Sequence, residues 1–121
     1  MRTFSIEGGT NSPSVFIDEM SNMIEISGNS TLSETNWFYP NVLRWIIALN
    51  NNSVDKKIVN VKLKRVNDSS SIWLSTIFQK LNGYYPSASF EINWYIDGNN
   101  NRASDLVQRL QCQSGMKVNL I

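Results

Sequence analysis

Histidine is absent and cysteine occurs once, at Cys112, so the chain has neither the commonest general base nor a partner for an internal disulfide. Ser-His-Asp and Cys-His catalysis fall away with them, and so does structural zinc. Charge of one sign is lacking as well: 11 Lys plus Arg stand against 10 Asp plus Glu, a formal net charge of +1. That balance offers no general attraction to nucleic acid, an anionic membrane or a polyanion. No stretch approaches the ~20 apolar residues of a membrane span, and Met1 to Gly9 lacks the apolar run of a signal peptide. The expectation is a cytoplasmic protein whose partners are chosen by local features. Its 121 residues, 41% of them hydrophobic, suit one domain over residues 1–121. A domain of this size hides roughly two-thirds of its unfolded surface, enough for a core without metal or cross-links.

Periodicity gives the elements. Val15-Phe16-Ile17 and Met23-Ile24-Glu25-Ile26 are two antiparallel strands joined by Asp18 to Asn22, after which Gly28-Asn29-Ser30 breaks the pattern. Phe38, Val42, Trp45, Ile46 and Leu49 mark an amphipathic helix ending near Asn50. Pro40 suits a first helical turn, so that helix is predicted to begin near Tyr39. From Lys57 to Arg65, Val59, Val61 and Leu63 alternate with Asn60, Lys62 and Lys64, as in a half-buried strand. Ile72, Trp73, Leu74, Ile77, Phe78 and Leu81 recur at helical spacing up to Asn82-Gly83. Phe90 to Ile96 is a further strand, closed by Asp97 to Asn101; a weaker helix holds Ala103, Leu106, Val107 and Leu110, and Lys117 to Ile121 forms a short last strand. This order predicts an α/β single domain, a small mixed β-sheet with packed helices whose later strands are parallel.

Between the central strand and the second helix lies Asn67-Asp68-Ser69-Ser70-Ser71. A helix start favours negative charge through its free N–H groups and dipole. Two readings of this turn stand side by side. In one, Asp68 or Ser69 caps the helix and the rest is solvated. In the other, a serine here is phosphorylated, adding about −1.5 to −2 charges where the helix end accommodates them.

Ser12-Pro13-Ser14-Val15, Ile24 to Ser30, Phe38-Tyr39 with Trp45, Val66 to Ser70 and Asn93-Trp94-Tyr95 occur in an order and spacing that resemble the SiaC family of bacterial regulatory phosphoproteins. The likeness runs over nearly the whole chain. It implies a STAS-like, anti-sigma-factor-antagonist-like fold and a partner-switching role in biofilm and cyclic-di-GMP signalling. In that scheme a Ser/Thr kinase phosphorylates a turn threonine, a PP2C-type phosphatase removes the phosphate, and the unmodified form binds and stimulates a diguanylate cyclase. Asn67, Ser69 and Ser70 match the family's turn, while Asp68 stands at its phospho-threonine position. A carboxylate there imitates phosphate imperfectly, with one charge and two oxygens. Either Ser69 or Ser70 is then the switch, or Asp68 locks the protein in one state. The resemblance also implies partner contacts at Asn67, Ser30 and Glu34, and the aromatic side chains of Trp37 and Trp73 are expected to join them as anchors. It departs at Thr31-Leu32-Ser33, where the family has Tyr-Pro-Glu, and at Asn99-Asn100-Asn101, where an acidic run is expected.

Trp37, Trp45, Trp73 and Trp94 fall on or beside apolar stripes, where core packing competes with a role as partner anchors. Lys56, Lys57, Lys62, Lys64 and Arg65 form a basic cluster without interleaved aromatics, which fits a solvated face better than a nucleic-acid site. The alternative function is a small-ligand or nucleotide-binding module that holds phosphate with Lys62, Lys64 and the helix start at Ser69. No carboxylate pairing, metal-ligand set or Gly-rich phosphate loop suggests an enzyme or a cofactor.

Overall fold

The computed structural model describes residues 3–33, 35–51, 56–84, 90–96 and 101–121. In chain order these form β1 (Thr3–Ile6), β2 (Ser14–Asp18), β3 (Met23–Ser30), α1 (Thr35–Asn51), β4 (Lys57–Val66), α2 (Asp68–Tyr84), β5 (Phe90–Trp94), α3 (Asn101–Ser114) and β6 (Val118–Leu120). The strands lie in one mixed sheet in sequence order: β1, β2 and β3 are antiparallel neighbours, and β3 through β6 run parallel. Each of the three parallel connections contains a helix and steps to the next strand in the same direction. Right-handed crossovers therefore put α1, α2 and α3 on one face.

Burial follows that geometry. Ile17, Ile24, Val59, Ile92 and Val118 are register partners across five strands, and all five are buried beneath the helices. Val15, Ile26, Val61 and Trp94 form the next buried row. From the helices come Phe38, Tyr39, Val42, Ile46, Leu74, Ile77, Phe78, Leu81, Leu106, Val107 and Leu110. Period-2 alternation sends the intervening side chains to the uncovered face. There Asn93 donates to Asn60 at 3.1 Å, Asn119 donates to Asn93 at 3.0 Å, and Lys62 pairs with Glu25 at 3.0 Å.

The structure corrects several expectations at element ends. Thr3–Ile6 is an edge strand that its four-residue length concealed; Phe4 leans on Trp45 with ring centroids 5.1 Å apart. β3 continues through Gly28-Asn29-Ser30, because a register shift between Gly28 and Asn29 lets the strand bend and keep pairing with β4. Gly28 sits there at φ 99°, a conformation that suits a residue without Cβ. Helix α1 starts at Thr35, four residues before the predicted start, and so holds Pro40 beyond its first turn. Proline cannot bond back to the Asn36 carbonyl; in the next step of the helix Asn41 Nδ2 donates to the Trp37 carbonyl at 2.9 Å. Helix α2 runs past Gly83 to Tyr84. Lys57, assigned by composition to a solvated basic cluster, is buried on the helix-facing side of β4. The expected contact at Glu34 and the loop at Asp97 to Asn100 lie outside the described residues.

Candidate functional site

Parallel neighbours end together, so the C-terminal ends of β3 and β4 bring Ser30 opposite Val66, and the chain leaves each toward the start of a helix. The turn at Asn67 is therefore held beside the entry to α1. Asn67 N–H donates to the Ser30 carbonyl at 2.9 Å and its Nδ2 to the Leu32 carbonyl at 2.9 Å. Its Oδ1 accepts the Ser70 N–H at 2.9 Å, and its carbonyl accepts the Ser71 N–H at 3.0 Å. Asn67 is thus the N-cap, in place of the expected Asp68 or Ser69. The physical reason is its position: an amide can accept from the helix and donate to the β3–α1 loop at once, which a carboxylate cannot.

Asp68 and Ser69 become the first two helical residues, where N–H groups precede the intrahelical ladder, and both are exposed. Ser70 faces the other way and is fully buried. Its Oγ donates to the Ser30 carbonyl at 3.0 Å and accepts from Ser30 Oγ at 2.7 Å; Ser30 Oγ also bonds the Tyr39 hydroxyl. Since Ser30 Oγ spends its one proton on Ser70, Tyr39 donates to Ser30. The chain of protons runs Tyr39, Ser30, Ser70, Ser30 carbonyl, and it ties α1, β3 and α2 together. Burial pushes the Tyr39 phenol above its ordinary value, partly offset by hydrogen bonds with Ser30 and Ser70. The ring is fully buried, edge-on to Phe38 at 5.0 Å.

Around this turn two large apolar side chains stand in solvent, Trp37 at 68% and Ile72 at 65% exposure. Between their neighbours, Trp73 Nε1 donates to Asn36 Oδ1 at 3.0 Å and pins the start of α1 to the first turns of α2. Ile72 shares the helical spacing of the apolar stripe, but helix rotation turns it outward while Leu74, Ile77 and Phe78 pack inward. No local signal could separate it from them, because the stripe is wider than the face that α2 buries.

The structure thus brings together Asn67, Asp68, Ser69, Trp37 and Trp73, and adds Ile72. Ser30 is not on that surface: it is fully buried and works inside the hydroxyl chain, which corrects its expected partner contact. Lys62 does not join the helix start either. It lies on the uncovered face against Glu25, 5.0 Å from the Tyr95 ring centroid, and the Glu25 hydrogen bond holds its pKa above the ordinary value. Of the phosphate grip expected from Lys62, Lys64 and the helix start at Ser69, Lys62 is turned away to the uncovered face, while Lys64 lines a cleft beside Asp68.

A family model described as "SiaC family regulatory phosphoprotein" matches residues 6–121. Among solved structures, SiaC of Pseudomonas aeruginosa is similar in fold at TM-score 0.83 and 16% identity, covering 100% of this chain and 98% of that one. The diguanylate cyclase SiaD in complex with its activator SiaC, from the same organism, gives TM-score 0.84 at 16% identity, with 97% of each chain covered. No curated protein matches by sequence.

Proposed function

The chain belongs to the SiaC family of regulatory phosphoproteins, and from that premise we propose that it is a non-enzymatic signalling adaptor that binds a diguanylate cyclase through the surface around Asp68 and Ser69. One observation carries the reading: a charged, hydroxyl-bearing helix start is exposed one turn before Ile72, and Trp37 in the first turn of the neighbouring α1 is exposed as well, both large apolar groups that water solvates poorly. Aromatic anchors of this kind dominate interface energetics when a partner covers them. A charge set among them gates the interface, because burying it without a counter-charge is costly. Phosphate on Ser69 would add about −1.5 to −2 charges at the start of α2, which the helix dipole tolerates and an apolar partner surface does not. A Ser/Thr kinase and a PP2C-type phosphatase would act on this position. That fold neighbour, described as an activator in complex with a cyclase, lends the partner class.

Asp68 already supplies one fixed charge at the position of the family's phospho-threonine, so Ser69 is the remaining exposed hydroxyl for a graded switch. The test is capture from lysate of the source cells with the natural chain and with Asp68→Thr and Trp37→Ala forms, reading retained proteins and bait phosphorylation by mass spectrometry. We expect a cyclase, kinase or phosphatase to be retained, its yield to change with Asp68→Thr and to fall with Trp37→Ala. Equal capture by all three forms would sink the gating idea.

A further inference from the structure

On the far side of α2's first turn, a cleft of about 630 Å³ opens between the end of β4, the start of α2 and α3. Trp37 and Ile72 do not line it. Arg65 lines it from the end of β4, where the register shift opposite Gly28 and Asn29 interrupts the alternation of Val59, Val61 and Leu63. Arg109 lines it from α3, one turn after Asp105, together with Lys64 and Asp68. Among the described lining residues, three cations stand against two carboxylates, an excess of one positive charge. Among the described residues no carboxylate oxygen lies within 4.0 Å of Lys64, Arg65 or Arg109, whereas Lys56 and Lys62 each have one. Trp94, fully buried, also borders the cleft, and its indole N–H has no acceptor among the described residues. Buried donors in native proteins are nearly always satisfied, and the cations that line the same cleft without a carboxylate partner favour a negatively charged ligand there.

We propose that this cleft binds a carboxylate group. One carboxylate cancels the excess charge, and its two oxygens match the parallel N–H groups of a guanidinium. A phosphate dianion carries more charge than the lining neutralises and would face Asp68 and Asp105 directly. The carboxylate belongs to a free organic acid or to a glutamate of a peptide, and the two sources separate in the same experiment.

The full chain, labelled with ¹⁵N, is titrated with sodium acetate, with a short blocked peptide carrying one glutamate, with sodium phosphate, and with sodium chloride at matched ionic strength. We expect the Trp94 indole cross-peak and the Ser71 amide to move saturably with acetate and not with chloride, and the half-saturation concentration to rise at least tenfold in Arg65→Gln and Arg109→Gln. The indole peak is identified by its loss in Trp94→Phe or, should that variant not fold, by sequential assignment. Tighter saturation by the peptide assigns the carboxylate to a polypeptide, and tighter saturation by acetate to a free acid. Movement equal to that in chloride, tighter saturation by phosphate, or unchanged titration in both arginine variants overturns the proposal. Capture of partners through Trp37 is read separately, so either idea can fail alone.

Discussion

Adjacent serines in the turn differ because a helix places successive side chains about 100° apart: Ser69 meets water and Ser70 meets Ser30 and Tyr39. Introducing aspartate tells them apart. Ser69→Asp should change stability by less than about 0.5 kcal/mol, as surface substitutions do. Ser70→Asp buries a carboxylate against hydroxyl oxygens and should cost at least about 3 kcal/mol, measured by urea unfolding. Tyr39 adds a pH signature. Its folded pKa is raised by burial above the ordinary value of 10.0, so the folded state holds this proton more tightly than the unfolded chain. The associated stability is complete below about pH 10 and is lost as pH rises through the folded value. Unfolding free energy should therefore fall on the alkaline side of pH 10, and Tyr39→Phe should flatten that fall.

At the scale of elements, two helix starts are locked to each other by side chains of modest size. Asn67 caps α2 while holding the Leu32 carbonyl, and Trp73 holds Asn36. Asn67→Ala removes the cap and leaves the loop carbonyl without its donor, so a loss of about 1–2 kcal/mol is expected in denaturant unfolding. A partner affinity that falls more than overall stability predicts would place the loss in the Trp37 and Ile72 surface itself. Strand centres and helix stripes were legible from sequence because Val59, Val61, Leu63 and Leu74, Ile77, Phe78 repeat with the periods of the elements that bury them. Element ends were not. Pro40 signals a helix start, yet burial of Phe38 and Tyr39 holds the preceding turn helical against it. The short strand β1 carries too few apolar residues to announce itself, and pairing with β2 defines it.

Over the whole molecule, strand order equal to chain order means that all crossovers advance the same way, and no topological switch opens a crevice at mid-sheet. The surface proposed for a partner and the cleft proposed for a carboxylate instead meet at one helix start, where Asp68 belongs to both. Stability should grade outward from the centre of such a sheet. Amide exchange is expected to be slowest at Ile24, Ile26, Val59, Val61 and Ile92, which are buried in β3, β4 and β5, and fastest in the edge strands β1 and β6. Native-state hydrogen exchange followed by NMR checks this; a β1 as protected as β4 would contradict it.

The sequence by itself determined the α/β class, the central elements and the helix start at the Asn67 to Ser71 turn. Side-chain period, turn chemistry and family-like spacing are properties of neighbouring residues and can be read along the chain. Only the tertiary structure decided that Asn67 is the cap, that Ser30 and Ser70 are interior, that Lys62 belongs to the opposite face and that Ile72 is exposed. Each of these depends on residues tens of positions away: Ser30 on Ser70, Lys62 on Glu25. A hydroxyl, an amide or an isoleucine is equally at home in several environments, and the packing partner that selects one of them is brought near only by the fold.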